Sequence, residues 1–221
     1  MIELLAPLAV GLAAYLTRAL DATSSVAGTI MAYMVIFSRG FDWFLLLITF
    51  FVASMAVTKY KYAKKERIGF SQKRRTIENV LGNGIAPLFF ALWGNQFSFV
   101  AALAAATSDT FSSEIGVLSK TPPVSVLDFK THVKAGSNGG VSTLGNVAMF
   151  IGAAVIAVTS LVLFNDWSVF WVALWCGVFG SVFDSIIGAT IENKGTIGNA
   201  VTNFIASFTA GLVALAISAL I

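Results

Sequence analysis

The chain has 221 residues, of which 57% are hydrophobic and only 11% charged, and its mean hydropathy is +0.84. That balance excludes a soluble globular core and fits a single integral membrane domain over residues 1–221. A lone cysteine (Cys176) and a lone histidine (His132) exclude a disulfide framework, a thiol-pair redox centre and a zinc site built from those ligands, and the modest net charge of +3 comes with no soluble module that would bind nucleic acid.

Apolar segments near 2–20, 24–37, 41–58, 80–93, 97–118, 143–164, 168–191 and 199–220 predict an all-α polytopic membrane protein with seven or eight transmembrane or partly re-entrant helices. The first run lacks a basic leader and a small-residue cleavage site, and is read as a retained helix. The second and fourth are short for a full span, so they are expected to be tilted, broken or re-entrant. Gly82-Asn83-Gly84 and Pro87 make the start of the fourth a poor helix. The loop at about 59–77 holds more than half of the fourteen Lys and Arg residues. An excess of positive charge marks cytoplasmic loops and attracts anionic headgroups. With that loop in the cytoplasm, the glycine-rich loop at about 119–142 and the short loop holding Glu192 and Lys194 fall on the same side, with both termini opposite. A seven-helix count would move the N-terminus.

Two polar strings interrupt the apolar runs: Asp109-Thr110-Phe111-Ser112-Ser113-Glu114-Ile115-Gly116 and Asp184-Ser185-Ile186-Ile187-Gly188. An ionised carboxylate within a span is costly unless it has partners, and by default it marks function. On a helix Asp109, Ser112 and Ser113 lie on neighbouring faces, whereas Glu114 is rotated away. Asn83, Asn146, Asn199 and Asn203 add amides near helix starts. The string from Lys134 to Ser142 places Ser137, Asn138, Gly139 and Gly140 before an apolar helix, where backbone N–H groups can face an anion.

Carboxylates and hydroxyls without histidine or thiol are hard ligands suited to Mg²⁺, held by Asp109, Asp184 and Glu192. Arg74, Arg75 and Lys134, with Asn83 and the glycine loop, complete a set fit for phosphates. The whole resembles phosphoryl-transfer machinery, with Asp109, Glu114 and Asp184 as the catalytic acids and Thr110, Ser112, Ser113 and Ser185 in support. The same acids would also suit a lipid or ion transporter whose two Asp-Ser/Thr helices are halves of a repeat. A bland alternative makes them polar contacts between helices. Clustering toward one face favours a site that opens to one compartment.

Arg74-Arg75-Thr76 with Asn79-Val80-Leu81-Gly82-Asn83-Gly84, the Asp109 string, Gly136-Ser137-Asn138-Gly139-Gly140-Val141-Ser142, and Gly180-Ser181-Val182-Phe183-Asp184-Ser185-Ile186-Ile187-Gly188-Ala189-Thr190 resemble, in this order, the motifs of one integral membrane family. It is labelled domain of unknown function 92, and it includes transmembrane protein 19 of animals and the plastid phytyl-phosphate kinase of vitamin E synthesis. The match covers roughly residues 55–221. The resemblance implies a membrane kinase that passes a phosphoryl group from a nucleoside triphosphate, CTP, to an isoprenoid monophosphate such as phytyl or geranylgeranyl phosphate. The Asp109 string is also similar to the Asp-Thr-x-Ala strings of dolichol kinases and CDP-diacylglycerol synthases, which use CTP on lipid substrates. Phe111 departs from a usual Trp and Ser112 from a usual Ala; both changes leave the acids intact. The expected partners are the nucleotide, the prenyl phosphate and membrane lipids, with the active site facing the cytoplasm. Small residues at 101–106 permit close helix packing and leave an oligomer open.

Overall fold

The computed structural model describes residues 2–70 and 74–220. Among these the chain forms eight long helices: α1 (Ile2–Leu16), α2 (Ala22–Arg39), α3 (Phe41–Lys59), α5 (Ile77–Trp93), α6 (Gln96–Gly116), α7 (Thr143–Phe164), α8 (Trp167–Thr190) and α9 (Asn199–Ser218). Each expected apolar segment becomes one of them. A short helix, α4 (Tyr62–Arg67), lies inside the basic loop, and a 3-10 turn (Glu192–Lys194) follows α8. The loop after α6 is tied by a small antiparallel ribbon, β1 (Val124–Ser125) against β2 (Gly140–Val141). By length and composition α3, α7, α8 with its 3-10 extension, and α9 are long and apolar enough to cross a membrane.

Local chemistry sets the helix starts. Side-chain oxygens of Asp21, Asn95, Ser142 and Asp166 accept from the N–H groups of Ser24, Ser98, Gly145 and Ser168 at 2.8, 2.9, 3.1 and 2.7 Å. Each bond satisfies a donor that has no partner within the first helical turn. The fourth segment departs from expectation. It is not broken: α5 runs without interruption from Ile77 to Trp93, opened by a Thr76–Asn79 capping box. Its glycines serve packing, since a Cβ on Gly82 would come within 2.8 Å of the Ala200 carbonyl oxygen on α9. Pro87 lacks an N–H and so leaves the Asn83 carbonyl without its helical donor.

Successive helices alternate in direction. Three tight turns at Gly40, at Gly94-Asn95 and at Asn165-Asp166 make the connections at one end. The segments 17–21, 60–76, 117–142 and 191–198 make them at the other. There the first two are joined directly, the Arg75 N–H donating to the Ala19 carbonyl at 3.1 Å.

Helix α6 is the axis, packed against α3, α5, α7, α8 and α9. Every residue from Ser98 to Ser108 is buried. Its alanines meet glycines on the neighbours: a Cβ added to Gly177 would sit 2.9 Å from the Ala104 Cβ, and one added to Gly152 would sit 2.9 Å from the Ser108 Cα. Trp43 stacks on Phe99 with ring centroids 4.6 Å apart near the tight-turn end.

Gly152→Val should therefore destabilise the bundle by about 1–3 kcal/mol, because the clash is with backbone that cannot give way. Gly28→Ala, where the new methyl would meet nothing nearer than Leu20 Cδ1 at 3.9 Å, should cost nothing. Denaturation in detergent compares the two.

Candidate active site

At the long-loop end the helices part around a cavity of about 470 Å³ lined mainly by polar groups. The last two turns of α6 supply Asp109, Thr110, Ser112, Ser113 and Glu114, and α8 supplies Asp184 and Ser185. Arg75, Asn79 and Asn83 come from the start of α5 and the residues before it; Glu192, Asn199 and Asn203 come from the 3-10 turn and α9. Ser137, Asn138, Gly139 and Gly140 form the remaining wall.

Asp109 and Asp184 converge from α6 and α8 to within hydrogen-bonding range of each other, and both lie in the field of Glu192. Asp184 Oδ1 is buried and has no hydrogen-bond partner. Two carboxylates so close repel unless a cation or a shared proton lies between them. Glu192 Oε2 instead accepts from Thr202 Oγ1 at 2.9 Å. Among the described residues no group of three or more acidic, His or Cys side chains forms a ready-made metal cage, so the aspartate pair is the compact unit and Glu192 stands beside it.

Glu114 is already engaged. Lys65, on the one-and-a-half-turn α4, is fully buried, and its Nζ donates to Glu114 Oε2 at 2.6 Å, to the Thr58 carbonyl at 2.6 Å and to the Val57 carbonyl at 2.9 Å. The ammonium thus caps the C-terminal end of α3 and ties the basic loop to α6. Glu114 holds the wall in place instead of standing free in the cavity. Sequence reasoning missed Lys65, because nothing local distinguishes it from Lys59, Lys61 or Lys64. The only hint was Glu114 itself, an acid off the Asp109 face that needed a partner.

The basic residues expected at phosphates separate. Arg75 is buried, with Nη2 at 3.4 and 3.5 Å from the hydroxyls of Thr58 and Thr110, and Glu114 and Asp109 are the negative charges facing it. Arg74 and Lys134 are exposed, and neither lines the cavity. Asn146 is likewise exposed and outside, whereas Asn79, Gly69 and Phe70 line it unanticipated.

The glycine loop is clamped onto α8. Gly139 has φ +75°, and a Cβ there would press to 3.0 Å from both the Ala189 Cα and the Ser185 carbonyl oxygen. Only glycine tolerates both conditions. The Val126 N–H donates to the Gly139 carbonyl at 2.9 Å and the Gly140 N–H to the Ser137 carbonyl at 3.0 Å. Among the described residues the N–H groups of Asn138 and Gly139 donate no backbone hydrogen bond, leaving two adjacent donors beside the cavity.

Fold and site together define a polytopic helical membrane protein with a carboxylate-paired polar cavity at one end. The chain belongs to the family described as integral membrane protein DUF92, whose profile matches residues 5–211. An uncharacterized membrane protein of Methanocaldococcus jannaschii is 30% identical over 208 residues, covering 91% of this chain and 87% of that protein. Protein PGR of Arabidopsis thaliana is 31% identical over 67% of this chain and 59% of its own length. The chloroplastic protein VTE6 of the same plant is 29% identical over 64% of this chain and 47% of its own length. This chain thus spans about half the length of the two plant relatives. No solved structure matches.

Lys65→Ala leaves Glu114 without its cation and three acceptors without their donor. It should lower stability by about 3 kcal/mol and expose the segment after α3 to limited proteolysis. Lys65→Arg should restore part of the loss. Unchanged melting and cleavage in the alanine variant would show that the pair does not hold the loop.

Proposed function

We propose that the chain is a membrane-embedded prenyl-phosphate kinase, transferring a phosphoryl group from a nucleoside triphosphate, CTP, to an isoprenoid monophosphate such as phytyl or geranylgeranyl phosphate. The observation that carries the reading is the convergence, in one cavity at one end of the bundle, of the Asp109–Asp184 pair, the buried Arg75 and the free N–H groups of the glycine loop. The family resemblance gives that convergence its reaction.

The aspartate pair fits Mg²⁺, which binds through one or two carboxylates and takes the rest of its shell from phosphates and water; the unpartnered Asp184 Oδ1 is the kind of atom such an ion would satisfy. Held by Asp109 and Asp184, such an ion would supply positive charge to offset that of the phosphates. The chain's own residues do the remainder. The N–H groups of Asn138 and Gly139 hold donor phosphates, as anion-binding loops do, and Arg75 balances the charge of the phosphate that accepts. Ser112, Ser113, Ser185, Asn83 and Asn203 supply neutral hydrogen-bonding partners around them. Lys65 and Glu114 hold the wall that carries Arg75. No general base is demanded, because an ionised phosphate monoester is already a nucleophile; rate comes from positioning and preorganised charge.

Below the aspartates α6 is fully buried among apolar side chains, with Phe99, Val100 and Leu103 at 0% exposure. A cavity that ends in such packing suits a reaction served from one side better than a translocation path. Every described Lys and Arg except Arg39 lies in or next to the long-loop segments, which supports a cytoplasmic opening.

Purified protein in detergent, given Mg²⁺, labelled CTP and geranylgeranyl or phytyl monophosphate, should form the diphosphate. Asp109→Asn and Asp184→Asn should each cut turnover by at least ~100-fold while melting and membrane insertion stay unchanged. Wild-type-like turnover in either variant, or no product with CTP, ATP or UTP, would overturn the assignment.

A further inference from the structure

A second cavity, of about 90 Å³, lies between α1, α2, α3 and α5. Its walls are apolar, with Val10, Ala14, Leu47, Ile48, Phe51 and Val80 among them. Arg75 and Asn79 belong to this cavity and to the polar one alike. The apolar groove therefore ends at the buried cation, and the polar cavity begins there.

Three features fix what such a groove can take. First, its volume is several times the roughly 15 Å³ that one water-sized body occupies, and apolar voids of this kind stay dry and accept apolar matter. At about 90 Å³ it has room for part of one hydrocarbon chain. Second, Val10, Leu47, Ile48, Phe51 and Val80 are only half-buried, so the groove is open sideways, where bilayer hydrocarbon surrounds the bundle. Third, glycines thin the walls. At Gly28 a Cβ would touch only the Leu20 Cδ1 at 3.9 Å, and the atoms opposite Gly84 belong to the flexible end of Met31. A chain entering from the bilayer can thus lie against backbone and displace a thioether, which adapts readily.

We propose that this groove is the tail site for the acceptor lipid: a single-chain hydrocarbon monophosphate lies between α1, α2, α3 and α5 with its phosphate against Arg75. This rests on the kinase reading and adds an address to it. Arg75 serves the acceptor phosphate, the glycine loop serves the donor, and Asp109, which shares its field with Arg75, lines the same polar cavity as both. The lipid enters through the side of the bundle and the nucleotide through the polar mouth. A void of about 90 Å³ leaves no room for the second chain of a phosphatidic acid.

The test uses purified protein in detergent and a farnesyl monophosphate carrying a diazirine at its tail end, photolysed without nucleotide. Label should map by mass spectrometry to α1, α2, α3 or α5. Geranylgeranyl monophosphate should compete it away, and dioleoyl phosphatidic acid should not. Gly28→Leu places a side chain in the groove from a position whose Cβ would meet only Leu20 Cδ1, at 3.9 Å, and raises helix propensity; a melting curve within a few degrees of the wild type is the condition for reading the labelling, and Gly28→Ala, with a smaller loss of label, serves in its place where the leucine variant melts lower. Labelling should nonetheless fall by about tenfold, the loss expected when roughly two methylene groups can no longer be buried. Label confined to the outer faces of α7 to α9, label indifferent to Gly28→Leu, or equal competition by phosphatidic acid would each overturn the proposal. Because labelling needs no turnover, specific labelling without diphosphate formation refutes the kinase and leaves the groove, whereas turnover with label elsewhere does the reverse.

Discussion

Everything in this molecule depends on how closely α6 is approached by its neighbours. Inside a bilayer the hydrophobic effect does not hold helices together, because lipid is as apolar as leucine; close van der Waals packing and buried hydrogen bonds must do it. Ala104 and Ala105 meet Gly177 and Gly180 on α8, and Gly152 on α7 meets α6 one turn further on, at Thr107 and Ser108. Ser108 Oγ donates to the Met149 carbonyl at 2.8 Å within the same contact. Helices brought that near carry their polar residues with them. Asp109 follows the buried run on α6 and Asp184 follows Gly180 on α8, so packing that is almost side-chain-free forces the two carboxylates together.

The electrostatic pattern answers that constraint. Two acids in contact need a cation or a proton, and among the described residues the permanent positive charge lining their cavity is Arg75, which forms no salt bridge with either aspartate. Lys65 is treated differently, consumed by Glu114 and by two carbonyls at the end of α3. One buried cation is thus spent on architecture while the other remains turned toward the cavity.

Much of this was legible in the sequence. Apolar runs gave the eight long helices because hydropathy is a local property; the caps at Asp21, Ser142 and Asp166 that set their starts emerge only in the structure. The Asp109 and Asp184 strings were visible as charges where charges are expensive. The fate of individual basic residues was not visible. Arg74 and Arg75 are adjacent and chemically identical, yet one is exposed and the other buried. Lys65 finds Glu114 across 49 positions of sequence, and no periodicity encodes that pairing. Gly82 and Gly84 were misread for a related reason: a glycine that breaks a helix and a glycine that lets another helix approach look alike until the partner, Ala200 or Met31, is in place.

The unequal ends of the bundle bear on how the protein is made. The turns at Gly40, Gly94-Asn95 and Asn165-Asp166 join α2 to α3, α5 to α6 and α7 to α8, so most of the chain consists of three helical hairpins whose tips carry only one or two residues each. Unpaired peptide groups are what hydrocarbon resists, and a tip of that size exposes few. Each hairpin can enter the membrane as a unit from the long-loop side, so that the cationic segments, the ribbon and the glycine loop stay on the side the hairpins enter from. On that route the end of the bundle that holds the polar cavity never has to cross.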